Sequence, residues 1–180
     1  MTGPILVVDD DRDVLYAARL ALSRTAERVD TAQTTAGLAE LASPGRYEAV
    51  LLDMNFAVGD QSGREGLSQL DRLRALDRHL AIVLMTTFGG VSLAVEALKR
   101  GATDFVLKPW RNDKLVESVA AACARTREAR GAASTFDLEA AEKAEIQRAL
   151  EYHGRNISRA AAALGMTRPA LYRHMAKHGL

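Results

Sequence analysis

The 180-residue chain is 48% hydrophobic and 26% charged, with a formal net charge of +1. It is long enough for one globular domain and a smaller second one, and its overall charge balance favours no class of partner. Its one cysteine, Cys123, excludes an intrachain disulfide and suits a reducing compartment. There is no basic start leading into an apolar signal segment, and no apolar run nears the roughly 18 residues of a membrane span. A cytoplasmic protein with no membrane partner is expected.

Ile5-Leu6-Val7-Val8 is a short apolar run that reads as a buried strand and stops abruptly at Asp9-Asp10-Asp11. Val14, Leu15, Ala18 and Leu22 recur at helical spacing, which predicts a helix over 11–25. Asp11 is favourable at its start. Asp9 and Asp10 keep no structural reason of their own. A weak strand over 28–32, a short helix over 35–41 and a Ser43-Pro44-Gly45 turn follow. Glu48-Ala49-Val50-Leu51-Leu52-Asp53 is the next buried strand, and it ends on a lone carboxylate. After a loop from Met54 to Gly63, Leu67, Leu70, Leu73 and Leu76 mark a helix opening at Arg64. Leu80 to Met85 is a fourth strand ending in Thr86-Thr87, broken from the helix over 91–100 by Gly89-Gly90. Gly101 is a natural C-cap. Asp104 to Leu107 is a fifth strand ending in Lys108-Pro109, and a fifth helix runs from Asn112 to about Arg127.

Five apolar strands alternating with five helices predict an α/β fold, a doubly wound parallel sheet covered on both faces. The loops after its first, third, fourth and fifth strands share one edge, the edge at which such sheets bind ligands. That edge gathers Asp9, Asp10, Asp53, Thr86 and Lys108. Three carboxylates suit a hard divalent cation such as Mg²⁺. Asp53 is also a possible nucleophile toward phosphorus. Lys108 suits a phosphate oxygen, or a salt bridge to the acidic pair. Thr86 offers a hydroxyl; Thr87 is its rival, and Thr86 is preferred because it directly ends the apolar run.

Val7-Val8-Asp9-Asp10, Leu51-Leu52-Asp53, Met85-Thr86 and Gly101-Ala102-Thr103-Asp104-Phe105-Val106-Leu107-Lys108-Pro109-Trp110, taken together in this order, resemble the receiver domain of two-component response regulators of the nitrogen-regulator kind. The resemblance implies a flavodoxin-like sheet of order 2-1-3-4-5. It implies Asp53 as phosphoacceptor, with Mg²⁺ held by Asp9, Asp10, Asp53 and the backbone carbonyl of Asn55. It also implies Thr86 and Phe105 as the switch pair and Lys108 on the phosphoryl group. Two departures concern the loop after the phosphoacceptor. Phe56-Ala57 stands where the family usually has Met-Pro, and the stretch from Val58 to Gly63 is longer than usual. Phe88, two residues past Thr86, is bulky enough to hinder an attacking water, which predicts a long-lived phosphoryl group.

Arg125 to Thr135 has no apolar periodicity and reads as a linker. From Phe136 or Asp137 a new acidic helix begins, with Leu138, Ala141, Ala144, Ile146 and Leu150 as its apolar stripe, and this helix over 137–152 is expected to pair with its twin through that stripe, Ile146 included. His153 to Leu180 contains Arg155, Arg159, Arg168, Arg173 and Lys177 and no Asp or Glu, the footprint of a polyanion binder. A short Ala-rich helix over 157–164, Gly165, and a last helix capped by Thr167 form a helix-turn-helix. Gly154-Arg155-Asn156, Ala160-Ala161, Leu164-Gly165-Met166, Arg168, Leu171-Tyr172-Arg173 and Gly179 resemble the Fis-type DNA-binding module. By that resemblance the last helix enters the major groove, with Thr167, Arg168, Ala170 and Arg173 near bases or phosphates, and Arg159 and Lys177 on phosphates. His174 and His178 are spaced as a metal pair on a helix, but no third ligand is evident in the sequence.

The expected layout is a receiver domain over 1–127, a linker over 128–136 and a DNA-binding domain over 137–180. No Gly-x-x-x-x-Gly-Lys phosphate loop occurs in these residues, so the central ATPase of many relatives is not expected. The reading is a transcriptional regulator phosphorylated on Asp53 by a sensor histidine kinase. It binds an inverted-repeat DNA site as a homodimer, and is no enzyme beyond self-catalysed phosphotransfer and hydrolysis at Asp53. One alternative is a DNA-binding protein with a silent receiver. Another is a Mg²⁺-dependent phosphatase, for which Asn55 stands where an acid/base Asp is needed.

Overall fold

The computed structural model describes residues 1–56, 63–87 and 91–180. Ala57 to Ser62 and Phe88 to Gly90, with the expectations attached to that loop and to Phe88, lie outside the described residues. The chain divides into two compact units, Met1–Arg130 and Gly131–Leu180.

The first unit is built on five parallel strands, β1 (Ile5–Val8), β2 (Val29–Ala32), β3 (Ala49–Asp53), β4 (Ala81–Thr86) and β5 (Asp104–Leu107), in the order β2-β1-β3-β4-β5. The expected sheet is the one found. Its central strands are buried at every position, and apolar up to the closing Asp53 of β3 and Thr86 of β4, because both faces are covered. Side chains alternate across a strand, so each strand feeds two cores. Ile5, Val7, Ala49, Leu51, Val83 and Met85 pack with Leu15, Ala18 and Leu22 of α1 (Arg12–Leu22) and with Leu115, Val119 and Ala122 of α5 (Asn112–Tyr152). Leu6, Val8, Val50, Leu52, Ile82 and Leu84 pack on the other face with Leu38 of α2 (Leu38–Leu41), with Leu67, Leu70 and Leu73 of α3 (Arg64–Leu76), and with Ala97 of α4 (Val91–Lys99).

The register carries the sheet's pattern to its carboxyl edge. Val8 pairs with Leu52, and Asp53 with Met85, so Asp9 and Asp53 leave neighbouring strands side by side. The Lys108 amide donates to the Thr86 carbonyl at 2.7 Å, which fixes the exit of β5 beside that of β4. Asp11 is the N-cap of α1, and its carboxylate accepts from the Asp13 amide. Gly66, on the first turn of α3, is where helix and strand exit touch. A Cβ there would lie 2.6 Å from Met54 Cα and 3.1 Å from the Asp53 carbonyl oxygen.

Four local expectations change. β5 is a sheet edge, not a doubly covered strand. Only Val106 is buried, while Phe105 and Leu107 are 38% and 52% exposed. The second helix is a single turn from Leu38 to Leu41, opened by Gly37 in a left-handed conformation. The residues read as a linker are helical, because α5 continues from Asn112 to Tyr152. Ala, Arg and Glu dominate 125–135 and are strong helix formers, so the lack of an apolar stripe did not mean the lack of a helix. Arg130 belongs to the first unit, donating to Asp77 at 2.7 Å, and Thr126 accepts from the Ala81 amide at 2.8 Å. Burial opposes the charge of Asp77, but hydrogen bonds from Arg130 and the His79 amide outweigh it and hold that carboxyl below its ordinary value.

The fourth change lies in the second unit. α6 (Ile157–Ala163) and α7 (Arg168–His178) pack on the end of α5 around Ile146, Leu150, Ala160, Ala161 and Leu171. Ile146, at 1% exposure, is core rather than part of an outward stripe, whereas Leu138 is 72% exposed.

Gly66→Ala is expected to destabilise the first unit by about 2 kcal/mol through overpacking against Met54. Urea denaturation of the native chain and the variant measures this.

Candidate functional site

At the carboxyl edge of the sheet two acidic side chains are almost wholly buried. Asp9 is 0% and Asp53 3% exposed, while Asp10 beside them faces solvent. The Lys108 ammonium lies between the buried pair, donating to Asp9 Oδ2 at 2.5 Å and to Asp53 Oδ1 at 2.7 Å. The remaining oxygens are held by backbone. The Asp11 amide donates to Asp9 Oδ1 and the Asn55 amide to Asp53 Oδ2, both at 3.0 Å. Oxygens of Asp9, Asp10 and Asp53 lie within 4.8 Å of one another. The salt bridge foreseen from Lys108 to the Asp9-Asp10 pair is present at Asp9, but its second carboxylate is Asp53 rather than Asp10.

The electrostatics follow from burial. Desolvation lifts the Asp9 carboxyl above its ordinary range; the Lys108 hydrogen bond and charge offset this only in part, and the nearby Asp53 adds to the rise. Burial also pulls the Lys108 ammonium down, but hydrogen bonds to Asp53 and Asp9 outweigh it and hold the value up. Three carboxylates face one ammonium, so the cluster keeps an excess of negative charge in a partly dry place. That excess and an all-oxygen donor set fit a hard divalent cation.

Thr86 is 4% exposed at the end of β4. It lines a small apolar cavity with Met54, Leu84, Leu93, Ala94, Ala97 and Phe105. The two residues read as a switch pair thus line one cavity, with Phe105 38% exposed to solvent. Thr87 lines a separate groove with Lys108, Pro109 and Trp110. No residue pattern singled out Gly66, whose missing side chain lets α3 touch the backbone of Asp53 and Met54.

In the second unit Thr167 caps α7, its hydroxyl accepting from the Ala170 amide, and Asn156 caps α6 by accepting from the Arg159 amide. Arg159, Thr167, Arg168 and Arg173 are exposed, and Ala170 is half-buried. Among the described residues no carboxylate pairs with the guanidinium of Arg155, Arg159, Arg168 or Arg173. Lys177 differs. Its ammonium lies 3.1 Å from Glu139 and 3.4 Å from Glu142.

Lys108→Ala leaves two buried carboxylates without a counter-charge and is expected to cost about 3 kcal/mol at neutral pH, less with a divalent cation. The raised Asp9 value also has a pH signature. The folded state holds that proton more tightly than the unfolded one, so metal-free stability falls as pH rises from the ordinary 3.8 through the raised value. Divalent-ion affinity falls in the opposite direction, as pH drops through the same window. Thermal melts and Trp110 fluorescence titrations across pH check both signs.

The described helices include none long and apolar enough to cross a membrane. The family model "Response regulator receiver domain" matches residues 5–120, and "Bacterial regulatory protein, Fis family" matches residues 137–178. The transcriptional regulatory protein PrrA of Mycobacterium tuberculosis is 34% identical over 140 residues, covering 77% of this chain and 56% of its own. The chain thus spans about half the length of such curated relatives. The N-terminal receiver domain of a Bacteroides fragilis response regulator superposes with a TM-score of 0.61 at 38% identity, over 68% of this chain and 98% of that one. A Burkholderia pseudomallei response regulator, solved with a phosphorylated aspartic acid, calcium ion and citrate, matches with a TM-score of 0.55 at 30% identity. That match covers 95% of this chain and 97% of the other. The chain belongs to the response regulator receiver family and carries a Fis-family regulatory segment behind its receiver domain.

Proposed function

We propose that the chain is a two-component response regulator in which phosphorylation of Asp53 controls DNA binding. The observation that carries this reading is the buried Asp9–Lys108–Asp53 cluster in the same chain as a Fis-family segment with unpaired arginines. Receiver function is assigned to 1–127 and DNA binding to 137–180, with 128–136 as the connection. A cytoplasmic location suits both partners, a histidine kinase and double-stranded DNA.

In the phosphotransfer step Asp53 Oδ attacks the phosphorus of a phosphohistidine. The new O–P bond forms as the P–N bond breaks, and the imidazole leaves with the electron pair and takes up a proton. Asp9, Asp10, Asp53 and the Asn55 carbonyl would hold Mg²⁺, which supplies positive charge against the incoming phosphoryl oxygens. Lys108 then exchanges part of its contact with Asp53 for a phosphoryl oxygen. The Thr86 hydroxyl turns toward another, and the space it leaves in the shared cavity draws Phe105 inward. The surface from Val91 to Trp110 changes shape as a result, a local charge event read out by a bistable element.

On DNA, Arg168 and Arg173 on α7 face the major groove with the Thr167 and Ala170 end, and Arg159 meets a phosphate. Lys177 must first release Glu139 and Glu142 to do the same. The exposed Phe136 and Leu138, at 74% and 72%, favour pairing of two copies along α5 on an inverted repeat. Ile146 takes no part in that pairing.

With Mg²⁺ and a small phosphodonor, intact mass is expected to show one phosphoryl group on the native chain and none on Asp53→Ala. Arg168→Ala and Arg173→Ala should each weaken DNA binding and lower its salt slope by about one. Equal phosphate on Asp53→Ala, or native-like DNA affinity in both arginine variants at one salt concentration, contradicts the reading.

A further inference from the structure

The second unit holds a cluster that DNA binding does not use. His174 and His178 stand one turn apart on α7, and side chains at that spacing share a face. Both meet a single carboxylate on α5. Glu142 Oε1 lies 2.5 Å from His174 Nδ1, and Glu142 Oε2 lies 2.8 Å from His178 Nε2. The side chains are sheltered, at 36%, 26% and 7% exposure for His174, Glu142 and His178. His174 Nδ1 is buried and, despite its closeness to Glu142, makes no hydrogen bond. Its contact with the carboxylate is electrostatic rather than a well-directed hydrogen bond, and an ion placed between the two could replace it.

The geometry points to a binding site for a transition-metal ion of the zinc class, formed by His174, His178 and Glu142. Two imidazoles and one carboxylate suit Zn²⁺, Co²⁺, Ni²⁺ or Cu²⁺ rather than Mg²⁺, which prefers oxygen alone. Three protein ligands leave a fourth position for water. Glu142 is ready as a ligand. Each of its oxygens already faces one imidazole nitrogen. Lys177 need not be lost, because it keeps Glu139 at 3.1 Å when Glu142 turns to an ion. The glutamate supplies the third ligand that the histidine spacing alone lacks. It lies in the same unit but at a sequence separation that hides it.

Among the described residues only Asp9, Asp10 and Asp53 already bring all their donor atoms within 4.8 Å of one another. In the histidine cluster the carboxylate itself sits between the rings. An ion with ligands at about 2.0–2.2 Å draws both rings toward one centre. That requires side-chain rotation, since the two histidines already lie on one helix face. The bound ion ties α7 to α5 and stabilises this unit by mass action.

The test uses the full chain in saturating Mg²⁺, so that the aspartate cluster is filled. Co²⁺ is titrated and its visible absorption followed. One Co²⁺ is expected, with the strong band of a low-coordinate, nitrogen-ligated ion. Zn²⁺ should displace it. Affinity should fall by about tenfold or more in Glu142→Gln and the band should vanish in the double variant His174→Gln/His178→Gln. Far-UV circular dichroism reports whether each variant folds. If the double variant fails to fold, the isosteric Glu142→Gln decides alone. No band in the native chain overturns the proposal, as does unchanged Co²⁺ affinity in any folded variant. The three residues are then a polar clasp between two helices.

Discussion

Asp9 and Asp53 sit side by side, nearly free of solvent, and their mutual repulsion is tolerable because the Lys108 ammonium lies between them. Two buried carboxylates in contact are otherwise among the costliest arrangements a fold can hold. The sheet topology makes the arrangement possible. β1 and β3 are neighbours in a parallel sheet, so their last residues project from one edge, and the chain returns through β5 to deliver Lys108 to the same place. The cluster remains short of positive charge with Asp10 alongside. A phosphoryl group on Asp53, as proposed above, would add to that excess of negative charge.

The second unit handles charge in the opposite way. Arg155, Arg159, Arg168 and Arg173 have no carboxylate partner among the described residues, whereas Lys177, His174 and His178 converge on Glu139 and Glu142. The charges that stay unpaired lie on or next to the helix-turn-helix, at α6 and at the start and middle of α7. The charges that are paired lie along the later turns of α7 and bind it to α5. A polyanion meets the first set without competition and the second only after an ion pair is broken. Affinity should therefore rest on the arginines.

Much of this was legible in the residues themselves. Strand positions and the edge that gathers Asp9, Asp53, Thr86 and Lys108 follow from short apolar runs that each stop at a polar residue, while the sheet order comes from the resemblance to the receiver family. Three of those runs, β1, β3 and β4, are central strands, where burial dominates local preference. Legibility failed where burial is one-sided. β5 looked like its neighbours, but as an edge strand it leaves Phe105 and Leu107 outside, and only the completed sheet says which strand is the edge. The residues 125–135 carry no apolar period, yet their composition favours helix, and the helix continues through them. Ile146 fell on a stripe expected to pair with a twin helix; α6 and α7 cover it instead. Gly66 and Glu142 could not be found by pattern. The importance of Gly66 is a steric gap against Met54, and that of Glu142 a meeting across more than thirty residues with α7.

The measurement that bears most directly on the account is DNA binding, with mass in solution, with and without Mg²⁺ and a small phosphodonor, for the native chain and Asp53→Ala. The account predicts that the phosphodonor tightens DNA binding or assembly of the native chain alone. Equal binding and equal mass for both proteins under every condition would contradict it, leaving the buried cluster a scaffold and Asp53 without a role in control.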